Sequence, residues 1–141
     1  MVKDTPRPRS ARILIIDDDV PLTSVVQERF KRETFVTLSA LNGSEGLMVA
    51  QQERPDLIVL DLLMPVMNGF DVRKALKDNA ETRDIPVLVL SNLSHPDDVR
   101  RTKSLGANGY LVKTDTSLKA ILERVKQMIS APPPASHPAA A

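Results

Sequence analysis

The chain has 141 residues, 42% apolar and 26% charged, with a formal net charge of +1; this describes one domain able to bury its own core. It has no cysteine, which excludes disulfides, thiolate nucleophiles and cysteine-bound metals and fits a reducing, cytoplasmic setting. Neither an apolar run of about 18 residues nor an apolar leader is visible, so no membrane insertion and no signal peptide are expected.

Charge is spread unevenly. Residues 1–12 carry Lys3, Arg7, Arg9 and Arg12 against Asp4, a net +3, and the rest of the chain is net −2. Residues 1–11 read as a disordered basic arm, rich in polar residues and proline. The remainder is not basic, so no direct nucleic-acid binding is expected from it.

Arg12–Ile16 reads as a strand, with four consecutive apolar residues that suggest burial on both faces. Pro21 suits the first turn of a helix, and an Asp before it can cap that helix. Leu22, Val25, Val26 and Phe30 give the helix its apolar stripe. Phe35–Ser39 is a short second strand. Asn42, with Glu45 three residues on, resembles a capping box and opens a helix to about Glu53. Leu57–Leu60 is a third strand, ending at Asp61. Asn68-Gly69 is a turn signal followed by a helix to about Asn79. Pro86–Leu90 is the fourth strand. Pro96 opens a helix that Gly106 can cap at its end. Tyr110–Val112 is the fifth strand. Leu118, Ile121, Leu122, Val125 and Ile129 mark the last helix. Residues 131–141, "APPPASHPAAA", read as an extended Pro/Ala tail or linker.

The order is (βα)5 over residues 12–130. It predicts an α/β fold, a five-stranded parallel sheet with helices on both faces. Ligands of such sheets bind beyond the carboxyl ends of the strands. There stand Asp17, Asp18 and Asp19 after the first strand, Asp61 after the third, Ser91 and Asn92 after the fourth, and Lys113 after the fifth. Each alone has an ordinary reading: helix cap, turn residue, loop hydroxyl or solvated ammonium. At one sheet edge they form a constellation. Clustered carboxylates raise each other's pKa values unless a cation is near. An all-oxygen donor set suits a hard cation, Mg2+ or Mn2+. With a cation and an ammonium for charge neutralisation, a carboxylate can act as nucleophile in phosphoryl transfer. Asp61, standing singly at the sheet centre, is the best nucleophile candidate.

Four segments, "ILIIDDD", "LIVLDLLMPVMNGFD", "VLVLS" and "GANGYLVK", resemble in order those of response-regulator receiver domains, the CheY-like superfamily of two-component signalling. The spacings agree as well: 43 residues from Asp18 to Asp61, 30 from Asp61 to Ser91 and 52 from Asp61 to Lys113. The resemblance implies a flavodoxin-like strand order 2-1-3-4-5. It also implies roles. Asp61 would accept a phosphoryl group from a sensor histidine kinase or a phosphotransfer protein. Asp18 would ligate Mg2+ directly and Asp17 through water, with Asp61 and the backbone carbonyl of Leu63 completing the protein ligands. Lys113 would pair with Asp61 and then with the phosphoryl group. Ser91 would be the switch hydroxyl and Tyr110 the aromatic coupled to it.

Two positions depart from the family pattern. Asn92 follows the switch hydroxyl, where a small residue is usual. Thr114 follows Lys113, where proline is usual, often in a cis peptide; a trans bond is expected, since a cis bond before a non-proline costs about 2.5–4 kcal/mol. Leu63 and Leu93 flank the expected path of the attacking water, which suggests a dry site and slow autodephosphorylation.

The implied function is a switch and not an enzyme with an external substrate. Phosphorylation would shift a two-state equilibrium at the face made by the fourth helix, fifth strand and fifth helix. Arg100, Arg101 and Lys103 give the fourth helix a charged, weakly anchored character. Lys119, Glu123, Arg124 and Lys126 on the fifth helix are compatible with a homodimer through this face. Two other classes compete: an aspartate-nucleophile phosphatase, which would want Asp-x-Asp after the first strand, and a pseudo-receiver or docking module that is not phosphorylated.

Overall fold

Five strands and five helices alternate along the chain in the computed structural model, which describes residues 10–62, 68–92, 96–104, 108–113 and 116–130. They run β1 (Arg12–Ile16), α1 (Val20–Arg32), β2 (Val36–Ala40), α2 (Gly43–Glu53), β3 (Leu57–Leu60), α3 (Gly69–Asp78), β4 (Val87–Ser91), α4 (Pro96–Ser104), β5 (Gly109–Val112) and α5 (Leu118–Ser130). The sheet is parallel throughout, in the order β2-β1-β3-β4-β5. This is the expected flavodoxin-like fold. No described helix is long and apolar enough to cross a membrane.

The continuous apolar runs of β1, β3 and β4 make sense because helices cover both faces. Successive side chains point to opposite sides. Leu14, Ile16, Ile58, Leu60, Val87 and Val89 therefore pack with Ala50 of α2 and Phe70, Val72 and Leu76 of α3. Ile13, Ile15, Leu57, Val59, Leu88 and Leu90 pack with Val26 and Phe30 of α1 and Ile121, Leu122 and Val125 of α5. Burying one such side chain contributes about 1.5–3 kcal/mol, so these two layers dominate the stability of the sheet.

Side-chain caps set the helix starts, and each contributes about 1 kcal/mol. Asp19 Oδ1 accepts from Leu22 N at 3.0 Å, Asn42 Oδ1 from Glu45 N at 2.9 Å and Asn68 Oδ1 from Asp71 N at 3.0 Å. The capping box at α2 is displaced by one residue in its return arm: Glu45 Oε1 accepts from Leu41 N, at 2.8 Å, and not from Asn42.

The structure corrects several local expectations. β2 starts at Val36, because Phe35 turns its backbone N–H to Phe30 O (3.1 Å) and its ring edge to Phe30. β4 starts at Val87 and ends on Ser91, so the hydroxyl belongs to the strand. Val25 is 53% exposed and Thr23 takes its place on the buried stripe. Lys126 does not face solvent alone; its Nζ pairs with Glu33 Oε1 at 2.6 Å and ties α5 to the end of α1. Arg124 is half-buried, its guanidinium lying over Gly109 of β5. Two of the four charges assigned to a dimer face are thus engaged within the chain. The basic arm ends earlier than residue 11, because Ala11 O accepts from Val36 N at 2.9 Å; the Gly106 cap, the Lys113–Thr114 bond and residues 1–9 and 131–141 fall outside the described residues.

Candidate functional site

Strand pairing carries one step past the ends of β1 and β3. Asp17 N donates to Ala40 O at 3.1 Å, and Asp61 N donates to Ile16 O at 3.0 Å. The two aspartates are therefore held by ladder bonds and not by loops. Each is only 4% exposed. Asp18, one residue on, is exposed. One carboxylate oxygen from each of Asp17, Asp18 and Asp61 lies within 4.8 Å of the others.

Lys113 is at the end of β5, beyond β4 from Asp61, and its long side chain reaches back across the sheet edge. Its Nζ is 2.8 Å from Asp17 Oδ2 and 3.3 Å from Asp61 Oδ2. The family pattern led us to expect Asp61 as its partner; Asp17 is nearer, and the ammonium bridges the two acids. Burial pushes the Asp17 carboxyl above its ordinary pKa, assisted by the Asp61 charge and opposed by the hydrogen bonds from Lys113 and from Asp19 N. Burial works to lower the Lys113 ammonium, but the hydrogen bond to Asp17 and the charges of Asp61 and Asp17 outweigh it, so its pKa is raised. Lys113 stays protonated across the neutral range.

Three carboxylates face one ammonium here. That excess of negative charge, in an all-oxygen donor set with two buried members and one open to solvent, fits a hard divalent cation that keeps part of its water shell. The donor set contains no histidine or thiolate to favour a softer ion.

The remaining expected residues sort by the strand that carries them. Ser91 is fully buried at the end of β4, paired in register with Val112, one residue before Lys113. Asn92 follows it and is exposed. Tyr110 is half-buried on β5 and packs against the layer under α2 and α3. Burial raises its hydroxyl pKa, and the Asp98 and Asp61 charges act in the same direction, so it remains a neutral donor. Leu63, Leu93 and Thr114 lie outside the described residues.

Sequence reasoning treated Asn68-Gly69 only as a turn. In the structure Gly69 meets the backbone of the acidic strand end: a Cβ there would be 2.4 Å from Asp61 O and 2.5 Å from Leu62 Cα. Its N–H donates to Leu62 O at 3.0 Å. α3 therefore rests on the residue next to the candidate nucleophile, and only glycine permits that approach. The available signal was the turn pair's position shortly after Asp61.

Comparison with known proteins gives a consistent result. The family model for the response regulator receiver domain matches residues 13–126. The transcriptional regulatory protein PrrA of Mycobacterium tuberculosis is 38% identical over 120 residues, which is 85% of this chain and 50% of PrrA. The chain thus spans about half the length of that relative. Protein PilH of Pseudomonas aeruginosa is 36% identical over 114 residues, covering 79% of this chain and 94% of PilH. Among solved structures, the Vibrio cholerae chemotaxis protein CheY4 superposes with a TM-score of 0.79 at 29% identity, covering 84% of this chain and 98% of CheY4.

Proposed function

The chain belongs to the response regulator receiver domains, and from that premise we propose that it is a phosphoacceptor switch in which Asp61 takes a phosphoryl group from a histidine kinase or phosphotransfer protein. The observation that carries this reading is Asp61 itself: a buried carboxylate at the sheet edge with an ammonium at 3.3 Å and two further carboxylates within 4.8 Å. An Asp61 oxygen attacks phosphorus, the P–N bond to the donor imidazole breaks, and an acyl phosphate remains on the chain. Asp18, Asp61 and the Leu63 carbonyl would hold Mg2+, with Asp17 acting through water. When bound, the ion supplies charge neutralisation for the phosphoryl oxygens.

Lys113 contributes a second fixed positive charge for those oxygens. Its hold on Asp17 keeps the ammonium aimed at the site before any phosphoryl group arrives, so little reorganisation is needed at the moment of transfer. Ser91 supplies a hydroxyl donor from the neighbouring strand, and Tyr110 follows its movement toward the sheet. The change passes to α4, β5 and α5 and controls an output or partner, in the cytoplasm where such donors act. Slow loss of the phosphoryl group, the behaviour expected of a sequence with apolar Leu63 and Leu93 shortly after Asp61 and Ser91, is part of this reading.

The test is chemical. Incubation with acetyl phosphate and Mg2+ should add one phosphoryl group to the wild-type intact mass and none to Asp61→Ala. No gain from acetyl phosphate or from a cognate kinase would favour a pseudo-receiver that serves only as a docking module. A phosphoryl half-life of seconds would refute the slow-release part alone.

A further inference from the structure

Gly46 sits inside α2, at a buried position one turn beyond the Asn42 cap. A helix interior favours alanine over glycine, so local preference gives no reason for it. Its backbone is not in the left-handed region either, so conformational freedom does not explain it. The reason lies across the interface. A Cβ at Gly46 would stand 2.5 Å from Ile16 Cδ1, 2.8 Å from Ile16 Cγ1 and 2.9 Å from Ile16 Cγ2. The Cδ1 atom is the end of a side chain and can swing away. The two γ carbons cannot both do so, because they branch from one Cβ whose rotamer is stiff in a close-packed layer. Clearing them requires α2 and the end of β1 to move apart.

Ile16 touches both buried acids through the backbone. Asp17 follows it in the chain, and Ile16 O accepts the N–H of Asp61 at 3.0 Å. A displacement of Ile16 is therefore felt at Asp17 and Asp61 together. We infer that Gly46 is a positioning residue for the acidic pocket: its missing side chain lets α2 seat Ile16 so that the Asp17 and Asp61 carboxylates stand at the separation a cation needs. This rests on the Mg2+-dependent reading above and extends it to a residue on a helix that contributes no ligand.

The test uses the full chain, with Mg2+ titrations followed by amide shifts in nitrogen-15 spectra. Gly46→Ala is expected to weaken Mg2+ binding by about tenfold, the lower end of what outer-shell changes cost, and to shift the Asp17 and Asp61 amides before any ion is added. Ile16→Val keeps both γ carbons, so Gly46→Ala with Ile16→Val should stay weak. Ile16→Ala removes all three clashing atoms, so Gly46→Ala with Ile16→Ala should return to within about threefold of wild type, a difference smaller than half the tenfold loss on the logarithmic energy scale. Should Gly46→Ala fail to fold, the same alanine pair decides: a folded, binding double variant supports the inference, and a folded variant with weak binding overturns it. Wild-type affinity in Gly46→Ala also overturns it, as does equal rescue by Ile16→Val. If the wild-type chain binds no Mg2+, the phosphoacceptor reading fails instead. The ion-free amide shifts of Gly46→Ala then judge the positioning alone, unchanged Asp17 and Asp61 signals counting against it.

Discussion

Helices α3 and α4 leave adjacent strand ends and have nearly equal lengths, ten and nine residues, yet they are held in different ways. α3 buries Gly69, Phe70, Val72, Arg73 and Leu76 and is capped by Asn68. At its far end Thr82 Oγ1 donates to Leu76 O at 2.6 Å. Of the described side chains of α4, none is buried; Asp98 and Val99 are half-buried and Pro96, Asp97, Arg100, Arg101 and Ser104 exposed. The Arg101 guanidinium of α4 stacks over the Phe70 ring of its neighbour at 4.0 Å. The difference teaches how a firmly packed helix and a lightly packed one can share one sheet edge. α3 rests on the Asp61 backbone and must not move if the pocket is to keep its shape. α4 follows Ser91, and a helix with so little buried surface sits at the low-stability end of the molecule.

The strongest way to break this comparison is to remove an anchor from α3. Leu76→Ala deletes a fully buried side chain and should cost about 2–5 kcal/mol in urea unfolding, the usual range for a leucine-sized cavity. The loss should fall on the whole domain as one transition, since α3 is continuous with the layer under β1, β3 and β4. A cost below about 0.5 kcal/mol, the level of ordinary surface changes, would show that α3 is no better anchored than α4.

Which of these features the sequence could reveal follows from their physical range. The strands were legible because apolar runs covered on both faces are continuous, and the acids stood out where those runs stop. Asp19 was legible as a cap because capping is a local contact with Leu22. What depended on lateral packing was not. The period of α1 accommodates either Val25 or Thr23 on the inner stripe, and the spacing alone does not decide. Lys113 pairs with Asp61 as expected, but its second and shorter contact, to Asp17, depends on how far one flexible side chain reaches across β4. Gly46 carried no signal, since helix preference argues against it and its reason lies in Ile16, 30 residues earlier. The weak anchoring of α4 was legible in "PDDVRRTKS", which has one large apolar residue. Its stacking on Phe70 was not, because a cation over a ring leaves no pattern in spacing.

A smaller perturbation sharpens the comparison from the α4 side. Arg101→Ala removes the guanidinium over Phe70, a contact that contributes about 0.5–1 kcal/mol at an exposed site. Global stability should change by no more than that. Local opening should respond more visibly: amide hydrogen exchange in α4 should quicken by about two- to fivefold, the ratio those energies imply, while α3 amides hold their rates. Equal acceleration in α3 would mean that the two helices open as one unit and that the contrast between them is not dynamic.

The smallest effect is expected within α4 itself. Arg100 pairs with Asp97 one turn earlier, but the two side chains are 70% and 69% exposed. Water and salt screen such a pair, and holding two long side chains together costs entropy, so its net contribution is about 0–1 kcal/mol. Asp97 also stands in the first turn, where a carboxylate near the helix N-terminus contributes about 0.3–1 kcal/mol at low ionic strength. Alanine is the better helix former and offsets part of this loss, so Asp97→Ala should lower stability by less than about 1 kcal/mol, and most of that loss should vanish in 0.5 M salt. The salt series separates this charge effect within α4 from its contact with Phe70. The Arg101–Phe70 contact includes dispersion and desolvated area that salt does not screen, so the Arg101→Ala effect should persist where the Asp97→Ala effect fades. If both fade together, α4 is held at this edge by long-range charge alone, and its position should then respond to any charge added at the acidic strand ends.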